Sequence, residues 1–222
     1  MKFAVRAVLF DLDGTLADTA PDLGGAVNRM RVRRGLLPLP ISALRPVASS
    51  GARGMLGLGL GIAPREPGYE AVRDEFLAEY ESALVEKSRL FDGMAECLEG
   101  LRERGLPWGI VTNKAERFTV PVVAGLGLAR IAAVVIAGDT TPHAKPHPAP
   151  LLEACKRLGI AAHEAVYVGD DLRDIQAAHA AAMPAVAAGW GYLGQTHDVS
   201  SWRADAVIDS PCDLLDLLHS LA

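Results

Sequence analysis

The sequence predicts an α/β protein: a Rossmann-like doubly wound parallel sheet with a small helical cap domain inserted near its start. Three observations predict it. From Phe91 onward, short apolar runs alternate with helical stretches, the rhythm of parallel strands joined by crossover helices. Residues 17–88 lack that rhythm and read as helix throughout. Three of the apolar runs also end in compact polar clusters, as strands do at the crevice of an open parallel sheet.

Taken in order, the first strand is Ala7-Val8-Leu9-Phe10, which stops at Asp11-Leu12-Asp13-Gly14-Thr15-Leu16. Asp18-Thr19-Ala20-Pro21-Asp22 then supplies a cap and an early proline for a helix running to Gly35. Residues 36–48 carry three prolines and read as a loop with a short helix. Ser49 to Gly54 reads as a flexible turn leading into the glycine-spaced run Met55 to Gly61. Between Gly68 and Glu86, Ala71, Val72, Phe76, Leu77, Tyr80 and Leu84 share one helical face. Residues 1–16 and 89–222 are therefore expected to form the α/β core domain, and 17–88 the cap.

The core resumes with a helix from Gly93 to Arg104, a strand from Pro107 to Val111 and a helix from Glu116 to Gly125. A strand follows at Ala133 to Ala137, a helix at Pro148 to Leu158 and a strand at Ala165 to Val168. The last elements are a helix from Leu172 to Ala182, strands at Ala185 to Ala188 and Ala206 to Ile208, and a helix from Pro211.

With 222 residues, half of them apolar, the chain suffices for a real core. A net charge of −5 gives no electrostatic footprint for nucleic acid, and the four arginines between Arg29 and Arg34 read as a solvated helix face. Cys97, Cys155 and Cys212 show no metal-binding spacing and read as reduced core thiols within helices. The apolar start is too short for a signal peptide, and the longest uncharged stretch, Ala180 to Thr196, is broken by Pro184 and three glycines. The expectation is a soluble cytoplasmic protein without a membrane segment, a monomer or homodimer acting on a small molecule.

The polar clusters carry the chemistry. Asp11 and Asp13, one residue apart at a strand end, can hold a hard divalent cation, and one of them can attack an electrophile that the cation polarises. Thr112-Asn113-Lys114 ends the second strand, and Gly169-Asp170-Asp171-Leu172-Arg173-Asp174 ends the third. Lys145 is fixed in the proline-rich loop Lys145-Pro146-His147-Pro148. His143 and His147 read as exposed loop residues, and Trp190, Tyr192 and Trp202 as packing groups under loops. Arg53, in its glycine-flanked turn, is either an ordinary surface arginine or a guanidinium reaching for a second anionic group on a substrate.

This set of strings resembles the haloacid dehalogenase-like hydrolase superfamily over nearly the whole chain. The resemblance implies that Asp11 is the nucleophile, Asp13 the acid/base, Lys145 the charge balancer and Thr112 a phosphate binder. It further implies Mg²⁺ on Asp11, Asp170 and the backbone carbonyl of Asp13, with Asp174 in support and the backbone of Asn113 on the phosphoryl oxygens. Asp171 stands where the subgroup often has serine and is assigned no role. The implied reaction is hydrolysis of a small phosphomonoester through an aspartyl-phosphate.

Within the superfamily, Asp13 argues against a dehalogenase, which replaces the second acid. A phosphonatase needs a cap lysine, and Lys87, at the domain edge, is the only lysine from 17 to 88. A sugar-phosphate mutase stays open. A non-catalytic binding module should have lost one of the key groups, and none is missing. The strings are most similar to the phosphoglycolate phosphatase subgroup, which implies conversion of 2-phosphoglycolate to glycolate and phosphate. Ser50-Gly51-Ala52-Arg53 and Phe91-Asp92-Gly93-Met94-Ala95-Glu96 also resemble N-acetylmuramic acid 6-phosphate phosphatases.

Overall fold

The computed structural model describes residues 5–194 and 198–221, apart from the side chains of 220 and 221. The chain enters at β1 (Ala7–Phe10), whose four residues are fully buried. A two-residue strand β2 (Ala17–Asp18) leads into α1 (Ala20–Arg33), α2 (Ile41–Leu44), a 3₁₀ turn over Arg45–Ser50, α3 (Gly51–Leu60) and α4 (Tyr69–Glu81). The two-residue β3 (Arg89–Leu90) then pairs antiparallel with β2. After it come α5 (Met94–Glu103), β4 (Trp108–Val111), α6 (Glu116–Gly125), β5 (Val134–Ile136) and α7 (Ala149–Leu158). The remainder is β6 (Ala165–Gly169), α8 (Leu172–Ala180), β7 (Ala185–Ala188), β8 (Ala206–Ile208) and α9 (Asp213–Leu221).

Six strands form one parallel sheet in the order β5-β4-β1-β6-β7-β8. The period-2 alternation of strand side chains divides its burial between two faces. Val8 and Phe10 of β1 join Ile110, Val166 and Val168 in one cluster, closed by α5, α6 and α9. Leu9 joins Val111, Ile136 and Tyr167 in the other, closed by α7 and α8. The doubly wound sheet expected from the sequence is what forms. The chain passes from β1 to β4 and β5 on one side, then crosses to β6 on the other. That makes the carboxyl end of β1 a topological switch point, where open parallel sheets leave a crevice.

The helices between β2 and β3 have their own hydrophobic cluster, centred on Val27, Met30, Met55, Leu56, Phe76 and Tyr80, which Phe118 and Tyr192 enter from the sheet side. Two expectations fail here. Residues 49–54 are not a flexible turn, because α3 starts at Gly51 directly after the 3₁₀ turn. The helix expected to reach Glu86 stops at Glu81, and Leu84 and Val85 pack against the sheet's hydrophobic cluster, Val85 beside Gly125 of α6. Cys212 also departs from expectation: it is exposed, in the turn before α9, whereas Cys97 and Cys155 are buried. Among the described residues, no helix is long and apolar enough to cross a membrane.

Candidate active site

The three strands that neighbour the switch point each deliver their polar cluster to the same place. β1 ends in Asp11 and Asp13, β4 in Thr112, Asn113 and Lys114, and β6 in Asp170 with Asp174 one helical turn later. Lys145 arrives from the loop before α7. A cavity of about 330 Å³ opens above them, roofed by Leu23, Phe76, Leu77 and Tyr80 and by residues 48–52.

The two acids of β1 occupy different surroundings. Lys145 Nζ lies 2.9 Å from Asp11 Oδ1 and 2.7 Å from Asp174 Oδ1. It also donates to the carbonyl of Val111 at 3.0 Å and to the hydroxyl of Tyr167 at 2.7 Å. Burial pulls the Lys145 pKa down, but the charges of Asp11 and Asp174 outweigh it and raise it, so the ammonium stays charged. Asp13 instead faces Lys114, whose Nζ donates to its two oxygens at 2.7 and 3.0 Å, and the Thr19 hydroxyl, which donates to Oδ1. Lys114 had no role in the sequence reading, although the string Thr112-Asn113-Lys114 contained it.

Asp170 is fully buried. It accepts from Thr15 Oγ1 at 2.9 Å and from the backbone N–H of Tyr192 at 2.8 Å. Burial, reinforced by the charges of Asp11 and Asp174, pushes its carboxyl well above the usual range. Burial also raises Asp174, against the opposing pull of Lys145. Two glycines make room for Asp170. A Cβ on Gly14, where φ is +93°, would sit 2.2 Å from Asp170 Oδ2, and one on Gly191 would sit 2.1 Å from Asp170 Cβ.

These acids have the makings of a cation site. Carboxylate oxygens of Asp11, Asp170 and Asp174 lie within 4.8 Å of one another. Three carboxylates face one buried ammonium, so with all three ionised the cluster has two unbalanced negative charges, which a divalent cation would neutralise. The buried Asp11 Oδ1 has no aligned hydrogen-bond donor among the described residues, although Lys145 is near. Asp174 is held by Lys145 and by the Asp171 backbone N–H at 3.1 Å, which suits it to support rather than lead. The side chain of Asp13 is outside this cluster.

Other sequence-selected residues fall as follows. Thr112 is buried, and its Oγ1 accepts from the Lys114 backbone at 3.2 Å. The Asn113 side chain brackets the Lys145 backbone, donating to its carbonyl and accepting from its N–H, both at 2.9 Å, and so fixes the lysine loop. Asp171 caps α8 and grips Arg173, which in turn donates to the carbonyl of Ser49 at 2.7 Å. His143 and His147 are exposed, with ring centroids 4.4 Å apart, and do not line the cavity. Arg53 is exposed and borders a separate groove with Pro46, Leu172 and Trp202. The helical start of α3 causes this: residues 49–52 line the cavity, and the next position turns away. Tyr192 is more than packing. Its hydroxyl accepts from the backbone N–H groups of Thr19 and Ala20 at 2.7 and 2.8 Å, and donates to Asp18 Oδ1 at 3.1 Å.

Known proteins are similar to this chain in sequence and fold. Residues 8–188 match the family model described as haloacid dehalogenase-like hydrolase. A phosphoglycolate phosphatase of Xanthomonas campestris pv. campestris (strain 8004) is 49% identical over 217 residues, 96% of each chain. An N-acetylmuramic acid 6-phosphate phosphatase of Pseudomonas aeruginosa is 40% identical over 98% of this chain and 96% of its own. The crystal structure of a predicted phosphoglycolate phosphatase from Haemophilus somnus 129pt superposes with a TM-score of 0.83 at 26% identity, covering 98% of both chains. With the strand-end acids, the buried lysine and matches of this extent, the chain belongs to the haloacid dehalogenase-like hydrolase family.

Proposed function

We propose that the protein is a Mg²⁺-dependent phosphatase that hydrolyses a small phosphomonoester, 2-phosphoglycolate above all, through an aspartyl-phosphate on Asp11. The observation that carries this reading is the division of labour between the paired acids: Asp11 lies against Lys145 in the acidic cluster, Asp13 against Lys114 and Thr19. One carboxylate is placed to attack, the other to move protons.

The Asp11 carboxylate attacks phosphorus in line, the ester P–O bond breaks, and protonated Asp13 gives its proton to the leaving oxygen. Ionised Asp13 then takes a proton from a water whose oxygen attacks the aspartyl-phosphate. The Asp11–phosphorus bond breaks, phosphate leaves, and Asp13 is again protonated for the next turnover. Lys145 keeps its proton throughout and offsets charge on Asp11 and on the transferring group. The Thr112 hydroxyl and the backbone N–H groups of Leu12 and Asn113 hold the phosphoryl oxygens. Asp11 and Asp170, with the Asp13 carbonyl, would hold Mg²⁺, supported by Asp174. Bound Mg²⁺ supplies the remaining positive charge that a dianionic phosphate needs, and oxygen donors suit it.

Residues 17–88 act as a cap that closes the cavity and excludes water. Its apolar wall of Leu23, Phe76 and Leu77 offers a polyhydroxylated sugar few partners, which supports the smaller substrate over N-acetylmuramic acid 6-phosphate. Unpaired, buried Cys97 and Cys155 fit a reducing cytoplasmic setting. The test is phosphate release with Mg²⁺, comparing kcat/KM for the two esters. A higher value for 2-phosphoglycolate is expected. A preference for the amino-sugar phosphate would reassign the substrate, and no release from any small ester would end the phosphatase reading.

A further inference from the structure

Among the described residues that line the cavity, Lys114 is a buried cation with a donor to spare. Four cationic side chains line it: Lys114, Arg117, Lys145 and Arg173. Lys145 is enclosed by Asp11, Asp174, Val111 and Tyr167, and Arg173 is committed to Asp171 and Ser49. Arg117 is exposed, its guanidinium 4.4 Å from the centroid of the Phe118 ring. Lys114 is buried, with only 7% of its side chain exposed, and donates to one side chain, Asp13. An ammonium has three N–H donors and two go to the Asp13 oxygens, so one remains.

What faces that remaining capacity is Tyr80 of α4, on the cap side. Lys114 Nζ lies 4.9 Å from its ring centroid. Tyr80 is 2% exposed, lines the same cavity, and its hydroxyl finds no hydrogen-bond partner among the described residues. A buried hydroxyl left unpaired is costly, and structures rarely keep one without a use. The ammonium is close enough to pull the phenol pKa down, although burial, the larger effect, leaves it raised. So a cation with one donor left and a hydroxyl without an aligned partner meet beside the acid/base, one from each wall of the cavity.

We propose that Lys114 and the Tyr80 hydroxyl form a subsite for a carboxylate borne one carbon from the scissile ester oxygen. This rests on the phosphatase reading, because it places the ester oxygen within reach of Asp13. Lys114 Nζ is 2.7 Å from that same carboxylate, so a group on the carbon next to the ester oxygen falls beside the ammonium. A carboxylate on the far side of a sugar ring does not. The subsite thus selects 2-phosphoryloxy carboxylates, and it is complete only when cap and core meet.

The experiment measures kcat and KM of wild type, Lys114→Gln, Tyr80→Phe and Arg117→Ala on 2-phosphoglycolate and on 2-hydroxyethyl phosphate, which lacks the carboxylate. Lys114→Gln should lower kcat/KM for 2-phosphoglycolate about 100-fold, mainly through KM, as loss of one charge-assisted contact does. Its loss on 2-hydroxyethyl phosphate should be at least about tenfold smaller. Tyr80→Phe, which keeps the packed ring, should shift the ratio the same way by about fivefold. Equal losses on the two esters would mean that Lys114 acts only through Asp13, and would overturn the subsite. So would a shift in the ratio produced by Arg117→Ala and not by Lys114→Gln. An unchanged ratio in Tyr80→Phe would remove the hydroxyl. Wild-type enzyme that hydrolyses both esters equally would refute the carboxylate subsite while sparing the phosphatase, whereas no hydrolysis of either would refute the phosphatase itself.

Discussion

The two walls of the cavity differ in kind. The sheet wall packs Asp11, Lys145 and Asp174 into one set of ion pairs and Asp13 with Lys114 into another, with Lys145 and Asp174 the most deeply buried. The cap wall is Leu23, Phe76, Leu77 and Tyr80, with the serines at 49 and 50 as its few other polar side chains. Charge held in a low-dielectric wall is already oriented for a reacting phosphate, and it needs no rearrangement during the reaction. An apolar wall opposite keeps water out and strengthens every charge it faces. On the proposed function, the contrast assigns chemistry to the strand ends and selection to the cap. Each change below should therefore have an effect set by the wall it touches.

The largest effect should come from Asp11→Asn. The amide keeps the shape and the neighbours but cannot act as the nucleophile, so turnover should fall by at least about 10⁴-fold. Far-ultraviolet circular dichroism and the urea midpoint should show the fold intact. Activity within tenfold of wild type would move the nucleophile elsewhere and dissolve the contrast between the walls.

The sheet wall also predicts how stability depends on pH. Burial raises Asp170 well above the usual carboxylate value and Asp174 up to about 7. A carboxyl raised by folding contributes stability that is present below its unfolded pKa of about 4 and is lost as pH rises through the folded value. Metal-free protein should therefore unfold at lower urea near pH 7.5 than near pH 5, and Mg²⁺ should remove most of that difference. Glu75, held down to about 2 chiefly by its hydrogen bond to Arg34, titrates below this window and does not confuse it. An identical drop with and without Mg²⁺ would show that the acidic cluster is not the cation site.

How far the sequence revealed these walls follows the same division. Asp11, Asp13, Thr112, Asp170 and Asp174 stand at or near the ends of apolar runs, and a parallel sheet gathers such ends at one edge, while Lys145 was marked by its proline-rich loop. Lys114 lay inside one of those strings, but its partner Asp13 is a hundred residues earlier in the chain and its other neighbour, Tyr80, is on the cap. No local pattern joins them. Tyr192 read as packing because its hydroxyl partners, Thr19 and Ala20, become neighbours only through the fold. Gly54 read as part of a flexible turn and serves close packing instead, as does Gly59 in the glycine-spaced run that follows. A Cβ on Gly54 would meet the Val47 carbonyl at 2.2 Å, and one on Gly59 would meet Val27 Cγ2 at 2.4 Å. Spacing reports where a glycine is, not what approaches it.

That misreading sets the smallest prediction, on Arg53. A turn could have swung its guanidinium into the cavity, but α3 fixes it on an exposed face beside Leu172 and Trp202. Successive helical residues point about 100° apart, so Ala52 can line the cavity while Arg53 does not. Arg53→Ala should change kcat/KM for 2-phosphoglycolate by less than about twofold and stability by less than about 0.5 kcal/mol, as exposed positions usually do. The measurement gains meaning beside Tyr80→Phe. Both residues are on the cap, both carry polar groups, and only Tyr80 lines the catalytic cavity. A loss above tenfold in Arg53→Ala would mean that the cap presents a cation to the substrate in another arrangement, and that selection has an ionic part the apolar wall does not account for.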